Sequence, residues 1–225
     1  MGPKKFTNTK WNINLAYAIG LLVTDGNLSP DGRHINFTSK DKELAELFKN
    51  CLSLNNKIGK KGNGLNKEKK YYVVQFGDVT FYDWCLGLGI MPNKSKIISS
   101  IKVPDKYFFD FLRGCFDGDG CSYAYWDKRW HSSYMFYFSI CSASSSFLKW
   151  LQQKTKQYVD VIGKISAAKG VYQLRFAKRE SILLFNKMYY KNNLPFLKRK
   201  HLKMRQFIKV DKRHAEVAKL VHAHA

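Results

Sequence analysis

Apolar residues crowd two stretches of the chain, Leu15-Ala-Tyr-Ala-Ile-Gly-Leu-Leu-Val-Thr-Asp25-Gly26 and Phe108-Phe-Asp-Phe-Leu-Arg-Gly-Cys-Phe-Asp-Gly-Asp119-Gly120. Each predicts a helix interrupted by glycine and closed by Asp-Gly. The period then changes. His34-Ile-Asn-Phe-Thr38 and Tyr134-Met-Phe-Tyr-Phe-Ser-Ile-Cys141 alternate polar with apolar, as half-buried strands do. Residues 41–52 and 144–158 read as helices, Tyr72-Val-Val-Gln-Phe76 and Tyr172-Gln-Leu-Arg-Phe176 as strands, and residues 80–88 and 179–190 as helices again. Each half closes on a proline and a basic cluster, Pro92-Asn-Lys94-Ser-Lys96 and Pro195-Phe-Leu-Lys198-Arg-Lys200.

The order of elements is therefore used twice, with the two Asp-Gly pairs 94 residues apart. Self-similarity on this scale has to be settled before any fold is assigned. It predicts an α+β fold of two pseudo-symmetric units, helix, strand pair, helix, strand pair, helix. The units are expected at residues 11–103 and 106–208, with a short linker around Pro104 and a basic tail at 209–225. Residues 57–70, rich in Lys, Gly and Asn, read as a loop between two strands of the first unit.

Composition narrows the partners. Of 225 residues, 45% are hydrophobic and 15% aromatic, enough for a real core and too much for a disordered chain. Lys and Arg number 39 against 17 Asp and Glu, a formal charge of +22. A folded chain this basic points to a polyanion, nucleic acid before acidic membrane. The excess is 16 against 9 up to Asp105 and 23 against 8 beyond it. No apolar run is long enough to span a bilayer. The five cysteines show no CxxC spacing and read as reduced thiols of an intracellular protein. Lys4, Lys5 and Lys10 before an apolar run imitate a signal peptide, but no small-residue cleavage site follows.

The two Asp-Gly helices carry the candidate chemistry. Ala16, Gly20 and Thr24 share one face of the first, and Asp110, Gly114 and Gly118 one face of the second. Glycine inside a helix costs up to about 1 kcal/mol relative to alanine, which close packing of the two helices would offset. That pairing brings Asp25 and Asp119 together at adjacent C-termini, where the helix dipoles disfavour negative charge. Two carboxylates ~5 Å apart repel by roughly 3 kcal/mol at an effective dielectric of 20. A divalent cation between them reverses both penalties, and oxygen ligands suit Mg²⁺, Mn²⁺ or Ca²⁺. A single Asp-Gly would be read as a plain helix end with Gly at C′; two in matched repeats favour the metal. An EF-hand starting at Asp117 fails, because Ser122 and Lys128 stand where Gly and Glu are needed.

Leu112-Arg-Gly114-Cys-Phe-Asp117-Gly-Asp119-Gly120 resembles the signature nonapeptide of the LAGLIDADG homing endonucleases. Ala18-Ile-Gly20-Leu-Leu-Val-Thr-Asp25-Gly26 is a looser copy, with Val23 at the first acidic position. The likeness spans about residues 11–208. It implies a single chain of two αββαββα halves with the motif helices paired at the interface and two saddle-shaped antiparallel sheets over DNA. It further implies a monomeric, Mg²⁺-dependent endonuclease, with Mn²⁺ or Ca²⁺ able to substitute in binding, that hydrolyses one phosphodiester per strand of a long, nearly non-palindromic duplex site. Asp25 and Asp119 would then be the metal-binding acids, assisted by backbone carbonyls near Thr24 and Gly118. Lys200 occupies the position of the family's active-site lysine; its first-half equivalent is Lys96, or Lys94 if one residue is gapped. Where relatives often carry Gln, at the end of a strand, this chain has Ser39 and Ser142.

Strand parity nominates the groove face. With Ile35 and Phe37 inward, His34, Asn36 and Thr38 face out. Gln75, Tyr137, Ser139, Cys141, Gln173 and Arg175 follow by the same rule. Gln and Arg suit bidentate contacts to adenine and guanine. Arg33, Lys40, Lys128, Arg129 and the 57–70 segment suit phosphates, which position without specifying. The tail, with His214, His222 and His224, offers no defensible metal site and reads as a solvated helix or frayed end. The leading expectation is a free-standing, intron- or intein-type mobility endonuclease. The alternative is an intron RNA splicing factor (maturase), or a non-catalytic nucleic-acid-binding protein on the same fold.

Overall fold

The computed structural model describes residues 7–63, 66–129 and 133–223. Helix α1 (Ile13–Asp25) starts where the Asn12 side chain accepts from the Leu15 amide at 2.9 Å. It leads into β1 (Gly26–Leu28), β2 (His34–Ser39), α2 (Lys42–Cys51), β3 (Gly59–Asn63), β4 (Asn66–Gly77) and α3 (Val79–Leu88). After a 3₁₀ turn behind Pro104 the order repeats as α4 (Phe108–Asp119), β5 (Gly120–Trp126), β6 (Tyr134–Ser142), α5 (Ser145–Val159), β7 (Lys164–Ala168), β8 (Val171–Phe176) and α6 (Lys178–Met188). Helix α7 (Lys198–Ala223) follows. Strand order is β1-β2-β4-β3 in one antiparallel sheet and β5-β6-β8-β7 in the other. The two-unit α+β architecture is the one the repeat predicts.

Each sheet buries one face under its helices. Leu28, Ile35, Phe37, Val74 and Phe76 in the first, and Phe136, Phe138, Ile140, Leu174 and Phe176 in the second, are buried. Phe37 stacks on Phe48 and Phe116 on Phe138. Period-2 burial fixes the register, because a slip of one residue would expose the whole set. The polar faces of both sheets are left open.

One expectation changes. The 57–70 segment is not a loop: β3 and β4 form a hairpin through most of it, with residues 64–65 outside the described residues. Lys60 and Lys61 are exposed, so pairing there rests on backbone hydrogen bonds and leaves no hydrophobic signature. The tail expected from residue 209 as a solvated helix or frayed end is helical as far as residue 223, and it continues α7 unbroken from residue 208. It is held by Lys178 on Asp211 at 2.7 Å and by His214 against Trp126. His224 lies outside the described residues. Among those described, no helix is long and apolar enough to cross a membrane.

Candidate active site and nucleic-acid face

The motif helices cross at their glycines. A Cβ on Gly20 would collide with the Phe111 carbonyl oxygen and sit 2.8 Å from the Cys115 amide; one on Gly114 would collide with the Tyr17 carbonyl. No side chain fits there, so backbone meets backbone. Gly26 and Gly120 follow the helices in extended rather than left-handed geometry, at φ −95° and −81°. They are glycines for want of room, since a Cβ would press on the Leu22 and Phe116 carbonyls.

This crossing places Asp25 and Asp119 side by side. A Cβ on Gly118 would lie 3.2 Å from Asp25 Oδ2, so the first acid rests against the second helix. Burial first, then the charge of Asp119, pushes Asp25 up to about 7; burial likewise raises Asp119. Among the described residues no donor hydrogen-bonds either carboxylate. The positive charges opposing this pair are Lys200 and Lys94.

Both lysines are buried. Lys200 Nζ donates to the carbonyls of Phe116 and Asp117 at 2.8 Å, Gly118 at 2.9 Å and Gly120 at 2.6 Å. Lys94 Nζ donates to the Gly26 carbonyl, the repeat equivalent of Gly120. Desolvation, opposed by the two acids, brings Lys94 down to about 8; it lowers Lys200 as well. Of the two first-half candidates, the structure brings Lys94 and not Lys96 beside the acids. The Lys96 side chain is exposed on a separate 3₁₀ turn, Lys94–Lys96, while Lys94 points inward to the site. Counting from the proline does not decide between them, because Lys94 follows Pro92 by two residues and Lys200 follows Pro195 by five.

The two acids open onto unequal cavities. Beside Asp25 lies one of about 290 Å³, lined by Thr38, Ser39, Lys40, Asp41, Asp117 and Arg199 among others. Beside Asp119 lies one of about 60 Å³, walled by Val23, Thr24, Ser95, Ile98, Cys141 and Ser142 with Phe147. Ser39 and Ser142 each accept from the amide two residues on at 3.1 Å. Arg199 pairs with Asp41 at 2.5 Å, tying α7 to the first unit.

Three features were missed in the sequence. The first is Tyr17, whose hydroxyl donates to Asp117 Oδ2 across the helix pair at 2.7 Å. The second is the fully buried Arg113, which donates to Asp110 at 2.8 Å and to the Pro195 and Met188 carbonyls. Arg and Asp three apart on a helix could have signalled that pair. The third is Asn27, which stands exposed on the open face of β1.

Of the nominated groove residues, His34, Asn36, Thr38, Gln75, Tyr137, Cys141, Gln173 and Arg175 stand on the open faces, and Lys128 is exposed. Thr38 and Lys40 line the Asp25 cavity and Cys141 the smaller one. Arg129 is paired bidentately with Asp127, and His34 Nδ1 lies 2.6 Å from Asp31. Arg33 lies against Gly77 at the end of β4. Ser139 departs from expectation. It is wholly buried, with its hydroxyl covered by Cys121 at 3.1 Å and Gln173 at 3.2 Å.

Comparison with solved structures settles the fold. The LAGLIDADG meganuclease I-AabMI, bound to uncleaved DNA, superposes with a TM-score of 0.61 at 12% identity, over 92% of each chain. The chain has the LAGLIDADG fold. The homing endonuclease I-DmoI, in complex with DNA and Ca, matches at 0.53 and 18% identity over 82% of this chain and 95% of its own. The N-terminal LAGLIDADG domain of WhiA matches at 0.54 and 14% identity over 84% and 89%. The LAGLIDADG fold is thus shared with proteins named as endonucleases and with one not so named. No family model and no curated protein matches the sequence.

The residues fit a hard divalent cation. Among those described no cluster of three or more His, Cys, Asp or Glu could cage a metal. Two carboxylates alone suit an ion such as Mg²⁺, which keeps several waters and borrows phosphate oxygens from a substrate. The Gly118 carbonyl is turned to Lys200, and that ammonium competes with any cation there.

Proposed function

We propose that the chain is a site-specific DNA endonuclease cutting both strands of a long duplex site as a monomer, with Mg²⁺ bound by Asp25 and Asp119. The observation that carries this is the pair of charge-crowded carboxylates at the crossing of α1 and α4, each with a buried lysine beside its helix end. Structures of the LAGLIDADG fold solved with DNA, and with Mn, Mg or Ca, support the same partner and cofactor class.

Hydrolysis of a phosphodiester needs an activated water and relief of charge on phosphorus. Divalent cations supply both, by lowering the pKa of bound water and neutralising the phosphoryl oxygens. The chain supplies the rest. Asp25 and Asp119 present acceptors where negative charge is otherwise unfavourable. Lys94 and Lys200, fixed by carbonyls, hold positive charge beside the reacting phosphates without having to reorganise. The open sheet faces lie along the duplex, and the β3–β4 hairpin carries lysines toward its backbone. An intracellular, mobility-enzyme role belongs to the same reading.

The test incubates the protein with a randomised duplex library and Mg²⁺ and sequences the ends, with Asp25→Asn and Asp119→Asn alongside. Metal-dependent ends at one site, lost in both variants, are expected. Salt-sensitive binding without cleavage in Mg²⁺ or Mn²⁺ would replace the enzyme by a binding protein or an intron RNA splicing factor on this fold.

A further inference from the structure

The repeat makes the two open sheet faces comparable residue by residue. On the first, Asn27 pairs across to Asn36 and Asn36 to Gln75, so three carboxamides stand in one row over β1, β2 and β4. On the second, the same register joins Cys121 to Ser139 and Ser139 to Arg175. Neighbouring side chains in such a row are about 5 Å apart, within reach of successive base pairs.

The rows differ in what they can bind. Asn27 and Gln75 are exposed, and Asn36 spends one Nδ2 hydrogen on Ser29 Oγ at 3.2 Å while keeping its Oδ1. A carboxamide offering acceptor and donor together matches the N6 and N7 edge of adenine. In the second row Ser139 is buried and its hydroxyl occupied, which leaves Arg175 as the reader. Its Nη1 donates to Tyr123 OH at 3.0 Å and its guanidinium lies 5.2 Å from the centre of the Tyr137 ring, which stacks on Tyr123 at 5.1 Å. Two tyrosines thus hold the side chain in place, and among the described residues nothing hydrogen-bonds its Nε or Nη2. A fixed fork of two donors matches O6 and N7 of guanine.

We infer that the two sheets read different bases at equivalent places: the Asn27–Asn36–Gln75 row selects A·T pairs, and Arg175, positioned by Tyr123 and Tyr137, selects a G·C pair. The inference rests on the reading of the open faces as DNA-binding and makes the target non-palindromic at these positions. Neither tyrosine need touch a base, since both act by removing the freedom Arg175 would otherwise lose on binding.

Full-length protein would be used to select a randomised duplex library by retention in EDTA, with cleavage in Mg²⁺ scored separately. The variants are Arg175→Leu, Tyr123→Phe and the double Asn36→Ala/Gln75→Ala, each checked for folding by its melting curve. The wild type should enrich A·T pairs in one half and a G·C pair at the equivalent place in the other. Arg175→Leu should lose the guanine preference by about tenfold or more and leave the A·T positions alone. The double variant should do the converse. Tyr123→Phe should weaken the guanine preference while melting like the wild type. Halves that enrich alike, or a guanine preference that survives Arg175→Leu, would overturn the inference. Enrichment without any cleavage would sink the nuclease and leave the inference standing, while binding with no enrichment would sink both.

Discussion

Tyr17 and Asp117, 100 residues apart in sequence, meet across the paired helices at 2.7 Å. The Asp117 carboxylate also accepts from the Leu197 amide at 2.7 Å, joining α1, α4 and the approach to α7. The repeat equivalents of Tyr17 and Asp117 are Phe111 and Val23, both buried, so one half uses a polar pair where the other is apolar. Removing the hydroxyl takes a donor from a buried carboxylate, and a hydrogen bond to a charged group contributes about 1.5–3 kcal/mol. Tyr17→Phe should destabilise the protein by that order. Asp117→Val alone should cost at least as much, because it strands Tyr17 and Leu197. The double Tyr17→Phe/Asp117→Val copies the apolar half, and denaturant titration should find it less destabilised than the sum of the single changes. Additive effects would mean the two groups do not act as a pair.

The helix crossing gives a harsher result. At Gly20 and Gly114 a methyl group would meet carbonyl and amide atoms of the opposite backbone, which have no rotamer to change. Either alanine variant must spread the helices and loosen the core around Phe111 and Cys115. A loss above about 3 kcal/mol is expected, at the upper end for single substitutions. A melting temperature within a degree or two of wild type would show that the crossing yields more easily.

Much of this arrangement is legible in the sequence, and the limits are physical. Both helices show through because their apolar runs, glycines and terminal Asp-Gly repeat in matched order, and both central strands because one face is buried. The β3–β4 hairpin is hidden because Lys60 and Lys61 are exposed and bury nothing. Lys94 and Lys96 are not told apart because they lie on a turn, where neither helical nor strand period says which side chain turns inward. Ser139 follows strand parity to the open face but is roofed there by Cys121 and Gln173, a matter of neighbours that parity alone does not contain. The Tyr17–Asp117 bond joins positions whose repeat partners, Phe111 and Val23, are apolar, so the repeat carries no sign of it.

The choice between the two lysines can be tested directly. Lys96→Met should leave melting and cleavage as in the wild type. Lys200→Met strips the donor from four carbonyls, of which leaving even one buried and unpaired costs about 1–3 kcal/mol. It should melt lower as well as cleave more slowly. Lys94→Met should slow cleavage with a smaller loss of stability, since among the described residues its ammonium has the Gly26 carbonyl alone. A cleavage defect in Lys96→Met with none in Lys94→Met would reverse the choice.

The acid pair sets a pH dependence whose sign is fixed. Asp25 titrates near 3.8 when unfolded and is pushed up to about 7 in the native state. Between these values the native protein binds more protons, so its stability falls as pH rises from about 4 to about 7. Without metal, Asp25→Asn should flatten that fall and raise the melting temperature at neutral pH by several degrees. Mg²⁺ should stabilise the wild type and not the variant, with proton release that grows smaller as pH passes 7. Stability that instead rises over this window would mean the carboxylates are already compensated by groups of the chain.

Salt separates grip from reading. Each phosphate neutralised by a lysine contributes about −0.9 to the slope of log K against log salt. Lys60 and Lys61 stand exposed on the β3 edge of the first sheet, with Lys60 set over the ring of Tyr72. Lys61 lies opposite Tyr71 on the open-face parity and Lys60 opposite Tyr72 on the core side, so Lys61→Ala should make that slope shallower by roughly 1 and Lys60→Ala should leave it unchanged. In Lys61→Ala affinity should fall on every sequence alike and leave the preferred site unchanged, in contrast to substitution of Arg175. Fluorescence titrations at several salt concentrations on selected and scrambled duplexes would measure both quantities. An unchanged slope in Lys61→Ala would place the hairpin off the DNA and shift the backbone contacts to other cations, such as Lys128.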